Sequence, residues 1–227
     1  MKITSQIWNL PNVLTLFRIF LILPFLVFLF IDSWTMKLIS LIVFIFGSLT
    51  DWVDGFLARR LKQTTKFGNF MDPLADKLFI SAALIALPSL EKDLFPFWMV
   101  FLIISREFII TYLRIFALSQ EKEIATMRLG KTKTTLQILT IIIILIFLIV
   151  KSYLIQTSRI IPQTGPIGIP IAQIWKNYFS DWAFVLTYTP TFLMLITTII
   201  TVFSGIQYII KNRSLIMGYG KKDINRF

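Results

Sequence analysis

The sequence lacks both cysteine and histidine among its 227 residues. Without cysteine the chain cannot form a disulfide bond, and without either residue it cannot build the common zinc sites. Histidine general bases and covalent intermediates on cysteine or histidine are excluded for the same reason. Any metal must therefore be bound by oxygen, which favours Mg²⁺, Mn²⁺ or Ca²⁺.

Charged residues are also scarce, at 15% of the chain, whereas apolar residues make up 56%. A soluble domain carries about 25% charged residues. So large an apolar excess cannot fit inside a soluble core of this size, and lipid must serve as part of the solvent. The composition predicts an all-α integral membrane protein, with a single membrane domain over residues 1–227.

Six hydrophobic stretches have about the 20 residues that a bilayer-spanning helix needs. They run over about 11–31, 36–62, 68–87, 95–118, 132–150 and 190–210. Between the last two lies an insert, residues 151–189, with PQTGPIGIP near its centre. Its prolines and glycines argue against a continuous helix, and the sequence gives the insert no functional role.

The basic residues predict the orientation of the six spans. Fifteen of the 23 lysines and arginines lie in segments on the same side as the N-terminus, and five lie on the opposite side. The positive-inside rule therefore places both termini in the cytoplasm, with the spans in the cell membrane. The net charge of +11 is best explained by basic loops facing anionic lipid, or by anionic substrates. No nucleic-acid partner is predicted.

Four aspartates lie at the predicted cytoplasmic ends of spans two and three, in TDWVDGFLARRLKQTTKFGNFMDPLADK. Asp51 and Asp54 are three residues apart, and Asp72 and Asp76 are four apart, so each pair lies on one helix face. Adjacent spans joined by a short loop run antiparallel, and the two pairs can therefore face each other. Four carboxylates without histidine predict an all-oxygen site for one or two Mg²⁺ or Mn²⁺ ions.

Small and basic residues next to the aspartates fit a phosphate-bearing substrate. Gly55 and Ala58 follow Asp51 on the same face and leave room for a nucleotide. Gly68 permits close helix approach at the start of span three. Arg59 can donate paired hydrogen bonds to a phosphate.

Two other interpretations of the aspartates stay open at this point. The carboxylates could form a structural cluster paired with Lys77, Arg59 or Arg60. They could also mark a cation-transport pathway, because intramembrane aspartates are typical of such pathways.

The spacing D-x2-D-G-x2-A-R-x8-G-x3-D-x3-D resembles the signature of the CDP-alcohol phosphotransferase family, with no departure. The eight matching positions are Asp51, Asp54, Gly55, Ala58, Arg59, Gly68, Asp72 and Asp76. The resemblance extends over nearly the whole chain, and the insert at 151–189 is its main departure. It implies six transmembrane helices, an active site at the cytoplasmic ends of helices two and three, two Mg²⁺ or Mn²⁺ ions and a homodimer.

Three further segments, PNVLTLFRIF, SREFIITYLR and GKTKTTLQ, resemble the branch of that family that uses sn-glycerol 3-phosphate as acceptor. This resemblance implies transfer of a phosphatidyl group from the membrane lipid CDP-diacylglycerol, with phosphatidylglycerophosphate and CMP as products. It implies that the four aspartates bind metal and that Asp76 is also the general base. It further implies that the CDP portion contacts Asp51, Gly55, Ala58, Arg59 and Gly68, together with Asn12 and Thr15.

A phosphorylated acceptor needs cations, and four residues are candidates. Arg106 and Arg114 lie eight residues apart in span four, and Lys131 and Lys133 lie at the cytoplasmic start of span five. Arg106 could instead pair with Glu107, and the two lysines could be ordinary basic loop residues. An inositol-phosphate acceptor would need similar cations, so that alternative stays open.

Overall fold

The computed structural model describes the backbone of residues 10–61, 66–119, 129–160 and 171–212. Side chains are described over 16–50, at 75, and over 77–113, 133–157 and 188–212. These ranges contain only helices joined by short turns, which confirms the all-α prediction.

Six helices fill the described ranges, here numbered in chain order. They are α1 (Leu10–Phe30), α2 (Trp34–Leu61), α3 (Lys66–Leu90), α4 (Phe97–Ser119), α5 (Leu129–Ile160) and α6 (Ile171–Lys211). The first four agree with the predicted stretches to within three residues at each end. Hydrophobic runs bounded by polar residues therefore predicted these helices well.

The structure describes both flanks of the insert at 151–189. Helix α5 continues ten residues past the predicted end of its hydrophobic stretch, to Ile160, and α6 begins at Ile171 instead of residue 190. The prolines and glycines of the insert fall within 162–170, which lies outside the described residues. The flanking stretches contain neither residue type, and α6 continues through Pro190. Both flanks are therefore helical, and the break between them at the prolines and glycines stays a prediction.

The surface of the bundle is apolar. Two stretches, Lys133–Thr157 and Tyr188–Lys211, are long and apolar enough to cross a membrane by length and composition. Every helix also exposes large apolar side chains, among them Phe20, Phe46, Ile85, Phe101, Ile146 and Phe192. An apolar surface of this extent is typical of contact with lipid.

Three phenylalanines join the first three helices. The rings of Phe25 (α1), Phe44 (α2) and Phe79 (α3) are fully buried, with centroids 5.4–5.8 Å apart. Gly47 allows this packing, because a Cβ at that position would lie 2.7 Å from Cζ of Phe79. The tip of the Phe79 ring therefore packs against α2 at Gly47, one helical turn before Asp51.

The remaining helices surround this core. Helix α5 packs between α2 and α6, and α4 packs against α6. The hydroxyls of Thr140 (α5) and Thr197 (α6) lie 2.8 Å apart and are buried. We call the end of the bundle where α2 ends and α3 begins the motif end, and the opposite end the far end. Buried polar contacts between helices become frequent toward the motif end.

Candidate active site

The helices that carry the aspartates are formed as predicted. Asp51 and Asp54 lie within α2, and Asp72 and Asp76 lie within the first half of α3. Their backbone is helical, so the three- and four-residue spacings do place each pair on one helix face. Their side chains lie outside the described residues, and the metal cluster stays a prediction. Among the described side chains, no group of three or more metal-ligating residues occurs.

The contact between Gly47 and Phe79 is a reference point for the positions of Asp51 and Asp76 along their helices. Asp51 is four residues beyond Gly47 in α2, and Asp76 is three residues before Phe79 in α3. Each of these steps is about one helical turn toward the motif end. By helical spacing, Asp51 therefore lies on the Gly47 side of α2 and Asp76 on the Phe79 side of α3, each toward the motif end.

A cluster of cations around Glu107 includes Lys77, the residue that follows Asp76 in α3. Glu107 (α4) is 6% exposed and contacts the side chains of three cations. Its Oε1 accepts from Nη1 of Arg106 at 3.2 Å and from Nζ of Lys133, and its Oε2 pairs with Nζ of Lys77 at 3.1 Å. The cations come from α3, α4 and α5, so the cluster links three helices.

Helix α6 also contacts the cluster, through Arg106. Nη2 of Arg106 donates a hydrogen bond to Oγ of Ser204 at 3.1 Å. The next residue, Gly205, leaves room for the arginine stem, because a Cβ there would lie 2.7 Å from Cγ of Arg106. The Ser204–Gly205 pair therefore holds the guanidinium of Arg106 against α6.

Cations outnumber carboxylates among the described side chains of this cluster. Lys77, Arg106 and Lys133 all contact the single carboxylate of Glu107, and Lys77 also interacts with a further group. Side-chain exposure is 8% for Lys133, 10% for Arg106 and 17% for Lys77. Two buried cations, Arg106 and Lys133, that share one carboxylate favour an anion nearby.

The predicted acceptor residues fall into two groups. The structure brings Arg106 and Lys133 together around Glu107, and both are buried. Lys133 is thus not a solvated loop residue, whereas Arg106 does form the predicted alternative pair with Glu107. Arg114 and Lys131 lie within α4 and α5, but their side chains are outside the described residues.

The predicted nucleotide-binding residues have helical backbone, and their side chains are likewise outside the described part of the chain. They are Asn12 and Thr15 in α1, Gly55, Ala58 and Arg59 in α2, and Gly68 in α3. Their contacts with the CDP portion stay predictions.

Sequence reasoning missed part of the cluster. Lys77 and Glu107 were considered only as ion-pair partners, and neither Ser204 nor Gly205 was singled out. Two signals could have found them. Charged residues inside an apolar stretch are costly unless they serve a site. A Ser-Gly pair inside an apolar helix is typical of close helix approach.

A second charged cluster lies at the far end. Nζ of Lys37 lies 3.3 Å from Oδ1 of Asp32 and donates to Oγ of Ser152 at 3.2 Å. Lys151 pairs with Glu91. These residues line a cleft of about 160 Å³ together with Leu148, Ile155 and Gln156. Two cations face two carboxylates here, so the far-end cluster is neutral.

Comparison with known proteins finds similarity over most of the chain. The model of the CDP-alcohol phosphatidyltransferase family matches residues 8–217. A Bacillus subtilis CDP-diacylglycerol–glycerol-3-phosphate 3-phosphatidyltransferase is 45% identical over 146 residues, covering 59% of this chain and 75% of the relative. Proteins of the same name from Pectobacterium atrosepticum and Haemophilus influenzae are 38% and 39% identical. These alignments cover 61% and 59% of this chain and 77% and 74% of the two relatives.

Proposed function

Since the chain belongs to the CDP-alcohol phosphatidyltransferase family, we propose that it transfers the phosphatidyl group of CDP-diacylglycerol to sn-glycerol 3-phosphate. The products are phosphatidylglycerophosphate and CMP, and the reaction is a step of phospholipid synthesis. The names of relatives at 38–45% identity support both substrates. The described contacts support a phosphorylated acceptor independently of those names.

One contact carries the argument for the acceptor. Lys77 follows Asp76 directly in α3, and its Nζ lies 3.1 Å from Oε2 of Glu107. This contact attaches the cation cluster to the helix that carries half of the aspartate motif. An acceptor whose phosphate lies at the cluster would therefore extend its hydroxyl toward the aspartates.

The charge of the cluster favours a particular class of acceptor. A phosphomonoester carries about −1.5 to −2 charges near pH 7. That charge would complement the buried cations Arg106 and Lys133, which share the carboxylate of Glu107. A neutral alcohol such as inositol would bring no such charge. Inositol phosphate belongs to the favoured class, and it is the alternative acceptor.

The aspartates fit divalent metals. Four carboxylates on two adjoining helices form an all-oxygen donor set, which suits hard cations such as Mg²⁺ or Mn²⁺. The helical backbone at the four aspartates supports a shared site, because it places each pair on one helix face. We propose that Asp51, Asp54, Asp72 and Asp76 hold two such ions. When bound, the ions would neutralise charge on the pyrophosphate and on the departing CMP.

The remaining roles follow from the chemistry of the side chains. Asp76 accepts the proton of the acceptor hydroxyl as that oxygen attacks the phosphorus bearing diacylglycerol. Arg59 donates hydrogen bonds to the nucleotide phosphates. Gly55, Ala58 and Gly68 leave room for the CDP portion. Because the chain has no histidine or cysteine, direct in-line transfer is simpler than transfer through a covalent intermediate.

Six membrane spans, with the motif end and both termini on the cytoplasmic side of the cell membrane, complete the proposal. The distribution of lysine and arginine supports this orientation. It gives the soluble acceptor and the lipid donor access to the same end of the bundle. The homodimer implied by the family resemblance stays a prediction.

Cation transport is less well supported than phosphatidyl transfer. A pathway for cations would pass beside Lys77, Arg106 and Lys133, whose positive charge repels cations at short range. The aspartates alone do not distinguish cation transport from phosphatidyl transfer. The neighbouring cations favour an anionic ligand and therefore phosphatidyl transfer.

The proposal is tested by measuring CMP release from CDP-diacylglycerol by the detergent-purified protein. The acceptor panel contains glycerol 3-phosphate, glycerol, inositol phosphate, inositol and serine, each with Mg²⁺ or Mn²⁺. We expect release with glycerol 3-phosphate and none above background with glycerol, which differs only in lacking the phosphate. Equal release with both compounds would contradict the phosphate-anchoring role of the cation cluster. Preference for inositol phosphate would change the acceptor and keep the reaction.

The matched variant for the chemistry is Asp76→Asn, which keeps size and removes the base. We expect CMP release to fall by at least about a thousandfold, because the substitution removes both the base and a metal ligand. Retained activity in a folded Asp76→Asn protein would exclude Asp76 as the base.

A further inference from the structure

We propose that Ser204 in α6 is a positioning residue that fixes the guanidinium of Arg106 for the phosphate of the acceptor. The inference rests on the proposed function, and it extends the acceptor site to a helix that carries none of the sequence motifs. Three observations support it: the direction of the Ser204 hydrogen bond, the close approach of Gly205, and the division of contacts between the two terminal nitrogens of Arg106.

The hydrogen bond of Ser204 leads out of its own helix. A buried hydroxyl in an apolar helix can donate to the carbonyl four residues earlier, and in α6 Thr198 does so with Met194 at 2.8 Å. Ser204 is 8% exposed, and its Oγ accepts from Nη2 of Arg106 in α4 at 3.1 Å. A contact of this kind between two helices orients the partner side chain, whereas the Thr198 bond stays within one helix.

Gly205 brings α6 close enough for this contact. An added Cβ at that position would lie 2.7 Å from Cγ and 3.0 Å from Nε of Arg106. The arginine stem therefore passes directly over the backbone of α6, and small residues permit such close approach between membrane helices. Ser204 thus supplies a hydrogen bond for the terminal group of Arg106, and Gly205 supplies space for its stem.

Two contacts on different nitrogens fix the plane of the guanidinium. Nη1 of Arg106 donates to Oε1 of Glu107 at 3.2 Å, and Nη2 donates to Ser204. With Glu107 alone, the group could still rotate about that single contact. Each terminal nitrogen carries two N–H groups, so each keeps one donor beyond these contacts. A guanidinium held in one orientation can present paired donors to a phosphate.

A neutral hydroxyl suits this task. Ser204 accepts a hydrogen bond from Arg106 without cancelling its positive charge, so the charge stays available to an anion. An arginine side chain loses much rotamer freedom when it is ordered. Fixing it before the acceptor arrives lowers the cost of binding, because the acceptor does not have to order the side chain itself. Ser204 therefore acts on the acceptor through Arg106.

A purely structural role for Ser204 makes a different prediction. If its hydrogen bond only joined α4 to α6, its loss would lower thermal stability and the active fraction, and KM for both substrates would stay the same. If it positions Arg106, its loss raises KM for glycerol 3-phosphate and leaves KM for CDP-diacylglycerol unchanged. Its loss also has no further effect once Arg106 is absent.

The test measures kcat, both Michaelis constants and the melting temperature of Ser204→Ala, Arg106→Ala and the double variant in detergent. For Ser204→Ala we expect KM for glycerol 3-phosphate to rise about fivefold, with KM for CDP-diacylglycerol within about twofold. In the Arg106→Ala background the same substitution should change the acceptor KM by less than about twofold. If Arg106→Ala does not fold, Arg106→Met provides the background, because it also lacks every donor but fills more of the space of the arginine stem.

Thr198→Val is the matched control, since it removes a buried hydroxyl of the same helix whose hydrogen bond stays within α6. We expect its acceptor KM to stay within about twofold of that of the native protein. The inference would be overturned by an unchanged acceptor KM in Ser204→Ala, by an equal rise in Thr198→Val, or by an undiminished effect of Ser204→Ala in the Arg106→Ala background. Failure of the proposed function would look different, because Arg106→Ala itself would then leave KM for glycerol 3-phosphate unaltered, and the inference would fail with it.

Discussion

The cation cluster at the motif end and the charged cluster at the far end are built from similar residues, yet they differ in two properties. Each joins helices that are distant in sequence, through four charged side chains and one serine. At the motif end three cations share one carboxylate, whereas at the far end Lys37 and Lys151 face Asp32 and Glu91.

Burial separates the clusters further. At the motif end the most exposed of the four side chains is Lys77, at 17%. At the far end Asp32 is 96% exposed, and Lys151 is 37% exposed. Balanced charges near solvent need no ligand, and pairs of this kind stabilise a protein by about 0–1 kcal/mol. Unbalanced charges that are buried do need a counter-charge. The difference indicates that exposed ion pairs alone do not identify a site, whereas the buried cations Arg106 and Lys133 favour an anionic ligand.

The largest effect on KM for glycerol 3-phosphate is expected from removing the arginine of the motif-end cluster. Arg106→Ala would delete the proposed charge-assisted hydrogen bonds to the acceptor phosphate and would leave Ser204 without its donor. We expect KM for glycerol 3-phosphate to rise about 10- to 100-fold, since each such bond contributes about 1.5–3 kcal/mol. Steady-state CMP release at varied acceptor concentration measures it.

Arg106→Lys is the control for the loss of the guanidinium. It keeps the charge but cannot contact Glu107 and Ser204 with one planar group. We expect a KM between those of the native protein and Arg106→Ala. A native KM in Arg106→Ala would remove the main distinction between the two clusters.

An identical substitution at both ends tests the comparison directly. Lys133→Met and Lys151→Met each remove one lysine from α5 and keep an unbranched apolar side chain. We expect about a tenfold rise in KM for glycerol 3-phosphate for Lys133→Met, and a change within about twofold for Lys151→Met. Parallel acceptor titrations of the two variants measure this ratio. Similar kinetic effects at both positions would mean that the far-end cluster also contributes to the site.

The sequence predicted the helices better than it predicted the cluster. Long apolar runs predict membrane helices because lipid leaves the backbone no other partner. Hydropathy does not predict where a helix ends beyond the apolar core, and so the helical flanks at 151–160 and 171–189 lie outside the predicted hydrophobic stretches. Helical spacing placed the aspartates on single faces without any knowledge of tertiary structure.

The cation cluster needed information that a single sequence does not contain. Arg106 and Lys133 were recognised as candidates because a phosphorylated acceptor needs cations. Their meeting at Glu107 depends on the lateral order of the helices, with α4 against α6 and α5 between α2 and α6. Hydrophobic pattern does not specify that order. Lys77 and Gly205 acquire their importance only once the neighbours across the helix interfaces are known.

The smallest effect is expected from adding one methyl group, in a matched pair of glycine variants. In Gly205→Ala the new Cβ would lie 2.7 Å from Cγ of Arg106, and in Gly47→Ala it would lie 2.7 Å from Cζ of Phe79. The arginine stem can shift, so we expect Gly205→Ala to raise KM for glycerol 3-phosphate about threefold with little loss of stability. The Phe79 ring is fixed by two other rings, and we expect Gly47→Ala to destabilise the fold by about 1–3 kcal/mol with the acceptor KM unchanged. Acceptor titrations and melting curves of both variants check the pair. The added methyl group lies equally close to its neighbour in the two variants. A raised acceptor KM in Gly47→Ala would therefore mean that any distortion of the bundle impairs acceptor binding, and that Arg106 has no specific role in binding the acceptor.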